Sequence, residues 1–250
     1  MVIMITNPIM ITDVTAQPTV AQSLRLLRLL QLVSPSLPVG AYSYSEGLET
    51  LTQTGSMDDR DTLQHWLSQE LWVGAAQMEG AVMVRAYRTL QEKDAMVGLR
   101  YWNQWYGAAR ETEELRNQSL QMGRSMMKVL QGLESSGDFD RPLLDPLLLE
   151  KRWHFPIAFA IVAVAWEIAL SDALLGYFQS WSSNLIAAGI KLIPLGQTDG
   201  QRIGWAMQEP IAVAVLAVLA VEDDDLGSCG WGVALASMQH ETLYSRLFRS

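Results

Sequence analysis

The sequence has 250 residues, of which 49% are apolar and 18% are charged, and its formal net charge is −9. This length and apolar content suffice to bury a large core, which excludes a disordered chain. The acidic balance argues against a nucleic-acid partner, because phosphate binding requires clustered Lys and Arg. Cys229 is the only cysteine, which excludes an intramolecular disulfide and a cysteine-based zinc cluster and suits a reducing cytoplasm.

The N-terminal residues 1–22 carry apolar patches but lack the basic region and continuous apolar core of a signal peptide. We expect them to form a loose extension. A helix is predicted from Ser23, because leucines recur there at spacings of three and four until Pro35 and Pro38. A second, shorter apolar set ends at Gly55, which suits a helix C-terminus.

The middle of the chain is predicted to hold two long helical stretches. The first begins after Asp58 or Asp59, either of which can cap it, and its apolar residues keep helical spacing as far as Ala75. The second spans residues 94–130, which contain no proline and are rich in helix-favouring residues. Residues 132–146 contain two glycines and two prolines, so a loop is predicted there.

The C-terminal half begins with two further predicted helices. Pro156 is placed to open the first, because proline is tolerated in the first turn of a helix. Ser171 or Asp172 is predicted to cap the second, which runs to about Lys191. Two glycines within residues 196–200 then interrupt the helical pattern.

Two strongly apolar runs, residues 157–170 and 211–221, raise the question of a membrane span. Both are shorter than the roughly 20 residues that cross a bilayer, and the first contains Glu167. Periodicity alone allows the second run to be a strand, but its four alanines favour a helix. Without alternating strands or strand–helix repeats, the sequence predicts an all-α fold, a compact multi-helix bundle that forms one domain over residues 23–240.

The candidate metal ligands are few. His65, His154 and His240 are not paired at the spacing that places two imidazoles on one helical face, so no preformed metal site is predicted. His240 and Glu241 offer a nitrogen and an oxygen to a soft transition metal only as a weaker alternative. The sequence contains no phosphate-binding loop or dinucleotide fingerprint, and nucleotide binding by this chain is not expected.

Two alternative functions stay open on the residues alone. Ser125 and Lys128 match the Ser-x-x-Lys pattern of a lysine-activated serine, and a serine within residues 34–45 is a second candidate nucleophile, so a helical hydrolase is conceivable. The partner motifs of that pattern are missing. Peripheral membrane binding through residues 1–20 is the other alternative, although the acidic charge opposes it.

Residues 34–49, SPSLPVGAYSYSEGLE, form an unusual connection between two predicted helices. Two prolines, two glycines and several hydroxyl groups fit a rigid turn with capping serines. Tyr42 and Tyr44 also fit a contact surface, since tyrosine offers a large area at low entropic cost. Both interpretations stay open.

The C-terminal residues 240–250, HETLYSRLFRS, carry unusual apolar content for a chain end. In a helix, Leu243 and Leu247 would lie on one side together with Tyr244 and Phe248. A terminus with this much apolar surface should dock, either on its own core or in the groove of a partner. The sequence does not choose between the two.

These two segments, together with YGAARETEELRNQSLQMGRS at 106–125 and KLIPLGQTDGQR at 191–202, resemble the urease accessory protein F family. The resemblance spans about residues 24–250, and several motifs occur in the right order. It is imperfect at three positions: glutamine is more usual where Glu46 stands and often replaces Leu243, and arginine commonly occupies the place of Gln239.

The resemblance implies a non-catalytic chaperone or scaffold for urease maturation. Such a protein is all-helical, typically dimerises, and joins accessory protein D (or H) and a GTPase called G, to deliver nickel into apo-urease. It would modulate that GTPase, hold no stable cofactor, allow at most transient nickel passage, and work in the cytoplasm without a membrane. Residues 241–250 would then form a partner-docking tail. The expected partner contacts are Tyr42, Tyr44, His240, Glu241, Tyr244, Arg246, Leu247 and Phe248.

Overall fold

The computed structural model describes residues 19–134 and 141–250, and no strand occurs in these two ranges. Its helices are α1 Val20–Leu32, α2 Leu48–Gln53, α3 Arg60–Trp72, α4 Ala75–Thr89, α5 Ala95–Ala109, α6 Glu113–Glu134, α7 Arg141–Leu149, α8 Phe155–Ala165, α9 Leu170–Leu192, α10 Gln197–Ala206, α11 Gln208–Ala220 and α12 Trp231–His240. Two short 3-10 helices lie at Ala41–Ser43 and Asp223–Asp225. The predicted all-α single domain is confirmed.

The core is centred on α8 and α4. The sequence of α8 is apolar on every side, which suits a helix surrounded by others, and it packs against both α6 and α4. Small residues let α4 approach its neighbours closely. A Cβ added at Gly80 would lie 2.4 Å from the ring of Phe178 on α9, so a side chain there would push the two helices apart.

Several predicted helix boundaries are confirmed. Asp59 caps α3, and its carboxylate accepts a hydrogen bond of 2.8 Å from the Thr62 N–H. Pro156 lies in the first turn of α8. Gly55 follows α2 with a φ of +72°, the left-handed conformation that glycine adopts most easily. The alanine-rich run before residue 221 is the helix α11.

The first helix begins earlier than predicted, at Val20. Thr19 is its cap, and the Thr19 and Gln22 side chains bond reciprocally to each other's backbone N–H. Helix α1 therefore begins three residues before the predicted start at Ser23, and residues 19–22 of the predicted loose extension 1–22 are part of this helix and its cap. Residues 1–18 of that extension lie outside the described residues.

Two predicted continuous helices are each split into two. Ala75 opens α4 instead of ending α3, and its N–H donates to a Glu70 carboxylate oxygen at 2.9 Å. The stretch 94–130 is broken between α5 and α6. The backbone of Arg110 is extended there, and the Thr112 hydroxyl accepts a hydrogen bond from the Leu115 N–H in the first turn of α6. Tertiary contacts of Arg110 override the helical propensity of this stretch.

The loop predicted at 132–146 is only partly a loop. Helix α6 continues to Glu134, and α7 contains both Pro142 and Pro146. Proline in the first turn of a helix loses no hydrogen bond, which is why Pro142 is compatible with a helix start. The rest of the predicted loop, residues 135–140, lies outside the described residues.

Two boundaries around α9 also differ from prediction. Its cap is Ala169, so neither Ser171 nor Asp172 caps it. Helix α10 begins at Gln197, which confines the predicted break at 196–200 to its first residue. Gly200 lies inside α10 and does not interrupt it, and this glycine packs against Ile190.

Helices α10 and α11 run on as one apolar stretch, Gln197–Ala220, of 24 residues. By length and composition alone this stretch could cross a membrane, which corrects the view that every apolar run is too short. A third of its most apolar window is buried in the protein. Ile203, Met207 and Ile211 lie in the core, so one side of this stretch packs against the rest of the domain.

Candidate partner-contact surface and buried polar networks

The C-terminal residues fold back onto the chain's own 34–49 segment. The main-chain oxygen of Ser250 accepts hydrogen bonds from the Ser45 N–H at 2.6 Å, the Ser45 hydroxyl at 2.7 Å and the Glu46 N–H at 3.2 Å. The Arg249 N–H donates to the Ser43 carbonyl at 2.9 Å. The structure thus joins the two segments that the sequence singled out separately.

Glu49 fixes the backbone of the tail by accepting two of its N–H groups. Its buried carboxylate accepts the Leu247 N–H at 2.8 Å and the Phe248 N–H at 2.9 Å. Hydrogen bonds to a charged acceptor are stronger than neutral ones, so this pair fixes the tail backbone. The Phe248 ring is buried, and the Lys191 ammonium lies 5.5 Å from its centroid.

His240 ends α12 in a fully buried position between two carboxylates. Its Nδ1 lies 2.9 Å from a Glu114 oxygen, and its Nε2 lies 3.4 Å from a Glu49 oxygen. The second Glu114 oxygen accepts from the Arg246 guanidinium at 2.8 Å. We call Glu49, Glu114, His240 and Arg246 the tail anchor. It connects α2, α6, α12 and the tail.

The predicted contact residues separate into three groups by exposure. Tyr44, His240 and Phe248 are buried in the chain itself. Arg246 is partly exposed in its bond to the tail anchor. The remaining predicted residues point into solvent, namely Tyr42, Glu241, Tyr244 and Leu247. Of these, the Tyr244 side chain is fully exposed and Leu247 is 64% exposed. The tail is therefore anchored on one side and presents side chains on the other.

Sequence reasoning missed an exposed apolar stripe on α12. Trp231, Leu235 and Met238 are 76%, 59% and 50% exposed, and their spacing of four and three places them on one helical face. Val73 lies beside the start of this stripe, because its carbonyl accepts the Cys229 N–H at 2.7 Å. The spacing of these three residues was visible in the sequence. The sequence did not show that no other helix covers this face of α12 in the described structure.

A second buried polar network surrounds Glu79. Its two carboxylate oxygens accept the Tyr106 hydroxyl at 2.7 Å and the Tyr177 hydroxyl at 2.8 Å. The Arg110 guanidinium lies 3.2 Å from Glu79 as an ion pair. Burial raises the pKa of both tyrosines well above their usual range, so each hydroxyl keeps its proton and donates it to Glu79.

Glu46 completes this network, which we call the Arg110 cluster. Its oxygens accept the Gln118 amide at 2.8 Å and the Trp181 indole N–H at 3.0 Å. Burial and the nearby charge of Glu79 raise the Glu46 pKa. The Ser250 hydroxyl donates to the side-chain amide oxygen of Gln118 at 2.5 Å, so one glutamine links the tail to the cluster.

Glu70 lies in the last turn of α3, and its carboxylate reaches the first residue of α4 near the same cluster. Burial raises its pKa to about 7, although the hydrogen bond from the Ala75 N–H favours the ionised form. The charge of Glu46 acts in the same direction as burial. The ionised carboxylate is therefore held at this site at a cost in stability.

The candidate catalytic and metal residues are dispersed. Ser125 is half-buried and Lys128 exposed on α6, and no hydrogen bond joins them in the described structure. His65 is exposed on α3, whereas burial lowers the pKa of His154 to about 4. Within residues 19–134 and 141–250, no three His, Cys, Asp or Glu side chains converge as a metal site.

Comparisons with known proteins agree with one another. The family model described as UreF matches residues 57–208, more than half of the chain. A protein of Nostoc sp. named urease accessory protein UreF is 51% identical over 226 residues, covering 90% of this chain and 95% of its own. Proteins of the same name from Synechocystis sp. and Alkalilimnicola ehrlichii are 47% and 41% identical, covering 90% and 89% of this chain and 97% and 95% of their own.

Proposed function

The chain belongs to the urease accessory protein UreF family, and from this premise we propose that it is a non-catalytic scaffold for urease maturation. It joins accessory protein D or H and the GTPase G, modulates that GTPase, and helps to deliver nickel into apo-urease in the cytoplasm. Nickel is cargo in this proposal, with at most a transient contact, and the working form of the chain is a homodimer.

The observation that carries the proposal is the tail, anchored on its inner side and exposed on its outer side. Glu49 and Glu114 fix its backbone and the Arg246 side chain, so Tyr244 and Leu247 are presented without a large loss of freedom on binding. Preorganised contacts of this kind increase affinity because the ordering cost is met before the partner arrives. Exposed tyrosine and leucine side chains on a fixed backbone suit an apolar groove.

The stripe on α12 extends this surface. Trp231, Leu235 and Met238 lie on the helix that leads directly into the tail. A tryptophan and two other apolar side chains that share one exposed helical face leave apolar surface in contact with water. Such a face is typical of an interaction site. We assign the stripe and the tail to the accessory D or H protein, and Tyr42 to a separate contact.

The test is size-exclusion chromatography with light scattering of this chain, first alone, then with the D or H protein, then with the GTPase added. We expect a dimer that grows by stoichiometric addition of both partners. A folded chain that binds neither partner overturns the proposal. Deletion of the tail is a poor test, because it would leave Glu49 buried without its backbone donors.

Point variants locate the surface more sharply. The double variant Tyr244→Ala/Leu247→Ala removes the two outward side chains and leaves the tail anchor intact. Its binding to the D or H protein should weaken by at least about tenfold. The matched control is Val97→Ala/Tyr101→Ala, which removes an exposed aliphatic and an exposed tyrosine from α5. Equal weakening in both variants would contradict the assignment.

A further inference from the structure

A cavity of about 390 Å³ lies between the end of α1, the segment that follows it, α6, α8 and α9. This volume is within the range of small-molecule sites. Its walls are mainly apolar and include Leu32, Leu115, Met122, Met126 and Phe159. The Arg110 cluster forms its polar part, because Glu46, Glu79 and Arg110 all line it. The combination of apolar walls and a few converging polar groups is typical of a ligand site.

Arg110 is the feature of this cavity that protein contacts do not satisfy. Its side chain is 2% exposed, and Nη1 lies 3.2 Å from Glu79. Neither Nε nor Nη1, however, directs an N–H at an acceptor among the described residues. A buried donor without an acceptor is destabilising, and more so when the group is charged. A ligand that offers an acceptor here would recover that cost.

The charges at the cavity select against an ionised ligand head. Two carboxylates and one guanidinium line the site. A carboxylate that approached Arg110 would lie beside the carboxylates of Glu46 and Glu79. An ammonium group would meet the Arg110 charge and leave its N–H groups unmatched. A neutral head with a carbonyl oxygen and an N–H meets neither objection, because it can accept from Arg110 and donate to a glutamate.

The carboxylate of Glu46, which would accept a hydrogen bond from a ligand, is held in place by the protein. Glu46 has a φ of +53°, which is uncommon for a residue with a side chain, and strained backbone of this kind clusters at functional sites. Gln118 and Trp181 each donate to one Glu46 oxygen. Each oxygen retains a second acceptor position, so the carboxylate is fixed and still able to bind a donor.

We propose that this cavity binds a small, neutral, amphipathic molecule. Its carbonyl oxygen accepts from Arg110, its N–H donates to Glu46, and its apolar body lies against Met122 and Phe159. This assignment stands on the cavity alone, so it holds or fails independently of the scaffold function proposed above.

The head group is tested by calorimetric titration of the full chain with three probes that share a tail: hexanamide, hexanoate and hexylamine. We expect hexanamide to bind at least about tenfold more tightly than either charged probe, a difference of about 1.4 kcal/mol. Preference for hexanoate or hexylamine overturns the assignment of the head group. Absence of binding by all three probes overturns the site.

The position is tested on the unaltered protein with ¹³C-methyl-labelled methionines. Hexanamide should shift the Met122 and Met126 methyl resonances, and it should leave the exposed Met238 unchanged. The variant Met122→Trp fills the cavity and should weaken hexanamide binding by at least about tenfold, whereas Met238→Trp, the same change on the surface of α12, should not. A shift at Met238 alone, or equal binding by the two variants, contradicts the proposal.

Discussion

The tail anchor and the Arg110 cluster are neighbouring buried polar networks that differ in how completely their groups are paired. In the tail anchor, the Glu49 carboxylate meets two backbone donors, and Glu114 meets His240 and Arg246. In the Arg110 cluster, two guanidinium nitrogens of Arg110 have no acceptor among the described residues. A fully paired network fixes one conformation, whereas an incompletely paired one retains capacity for a ligand.

The comparison also separates what each network contributes to the fold. Removing one member of a buried ion pair is costly because the other charge stays buried without compensation. Glu49 accepts two backbone N–H groups and lies 3.4 Å from His240. An isosteric amide keeps one acceptor oxygen at this place, so the expected cost of replacing Glu49 is smaller. Isosteric Glu→Gln variants at Glu79, Glu70 and Glu49 measure these contributions on one scale.

The largest effect is expected for Glu79→Gln. This change removes the charge that faces Arg110 at 3.2 Å and leaves the guanidinium buried. We expect the free energy of unfolding to fall by about 4 kcal/mol, as measured by urea denaturation. The control is Glu167→Gln, which alters an exposed ion pair with Arg28 and should change it by less than about 1 kcal/mol. Similar losses in both variants would show that the cluster is solvated.

The next effect is a pH dependence at Glu70. Its folded pKa of about 7 lies above the ordinary value of 4.5, so the folded state holds a proton that the unfolded state releases. The wild-type protein therefore loses stability from this group as pH rises from 4.5 to 7, by about 3 kcal/mol.

The variant Glu70→Gln should lack this loss. Relative to wild type, its free energy of unfolding should improve by about 3 kcal/mol between pH 4.5 and pH 8, measured by urea denaturation at several pH values. Parallel pH profiles for the two proteins would contradict the burial of this carboxylate.

The smallest effect is expected for Glu49→Gln. An amide has a single acceptor oxygen, so one of the two backbone donors of the tail, Leu247 or Phe248, loses its partner. We expect a loss of about 2 kcal/mol and faster proteolytic removal of residues 246–250 than in wild type. Unchanged proteolysis would show that Phe248, and not Glu49, holds the tail.

Much of the fold could be predicted from local patterns. Asp59 caps a helix because its side chain precedes an apolar repeat, and the alanine-rich α11 follows from composition. The break at 110–112 could not be predicted, because these residues tolerate a helix and the ion-pair partner of Arg110, Glu79, lies on another helix. Pro146 similarly suggested a loop where α7 continues.

The candidate site was only half predictable. The two tyrosines of the 34–49 segment and the apolar tail were visible as unusual features. The contact between the two segments could not be seen, because it joins Ser45 and Ser250, which are 205 positions apart. Glu49 and Glu114 carried no signal, since glutamate is common on exposed helix faces. Which tail side chains point inward depends on these two carboxylates, so burial of Phe248 and exposure of Tyr244 could not be separated in advance.

The bond between Ser45 and Ser250 also constrains the order in which the protein is assembled. The Ser45 N–H and hydroxyl find their acceptor 205 positions later in the chain. At a synthesis rate of about 5–20 residues per second, that acceptor emerges roughly 10–40 s after Ser45. Throughout this interval the 43–46 segment is made but its final hydrogen bonds are not, and the nascent chain must stay soluble with the binding place of its own last residues open.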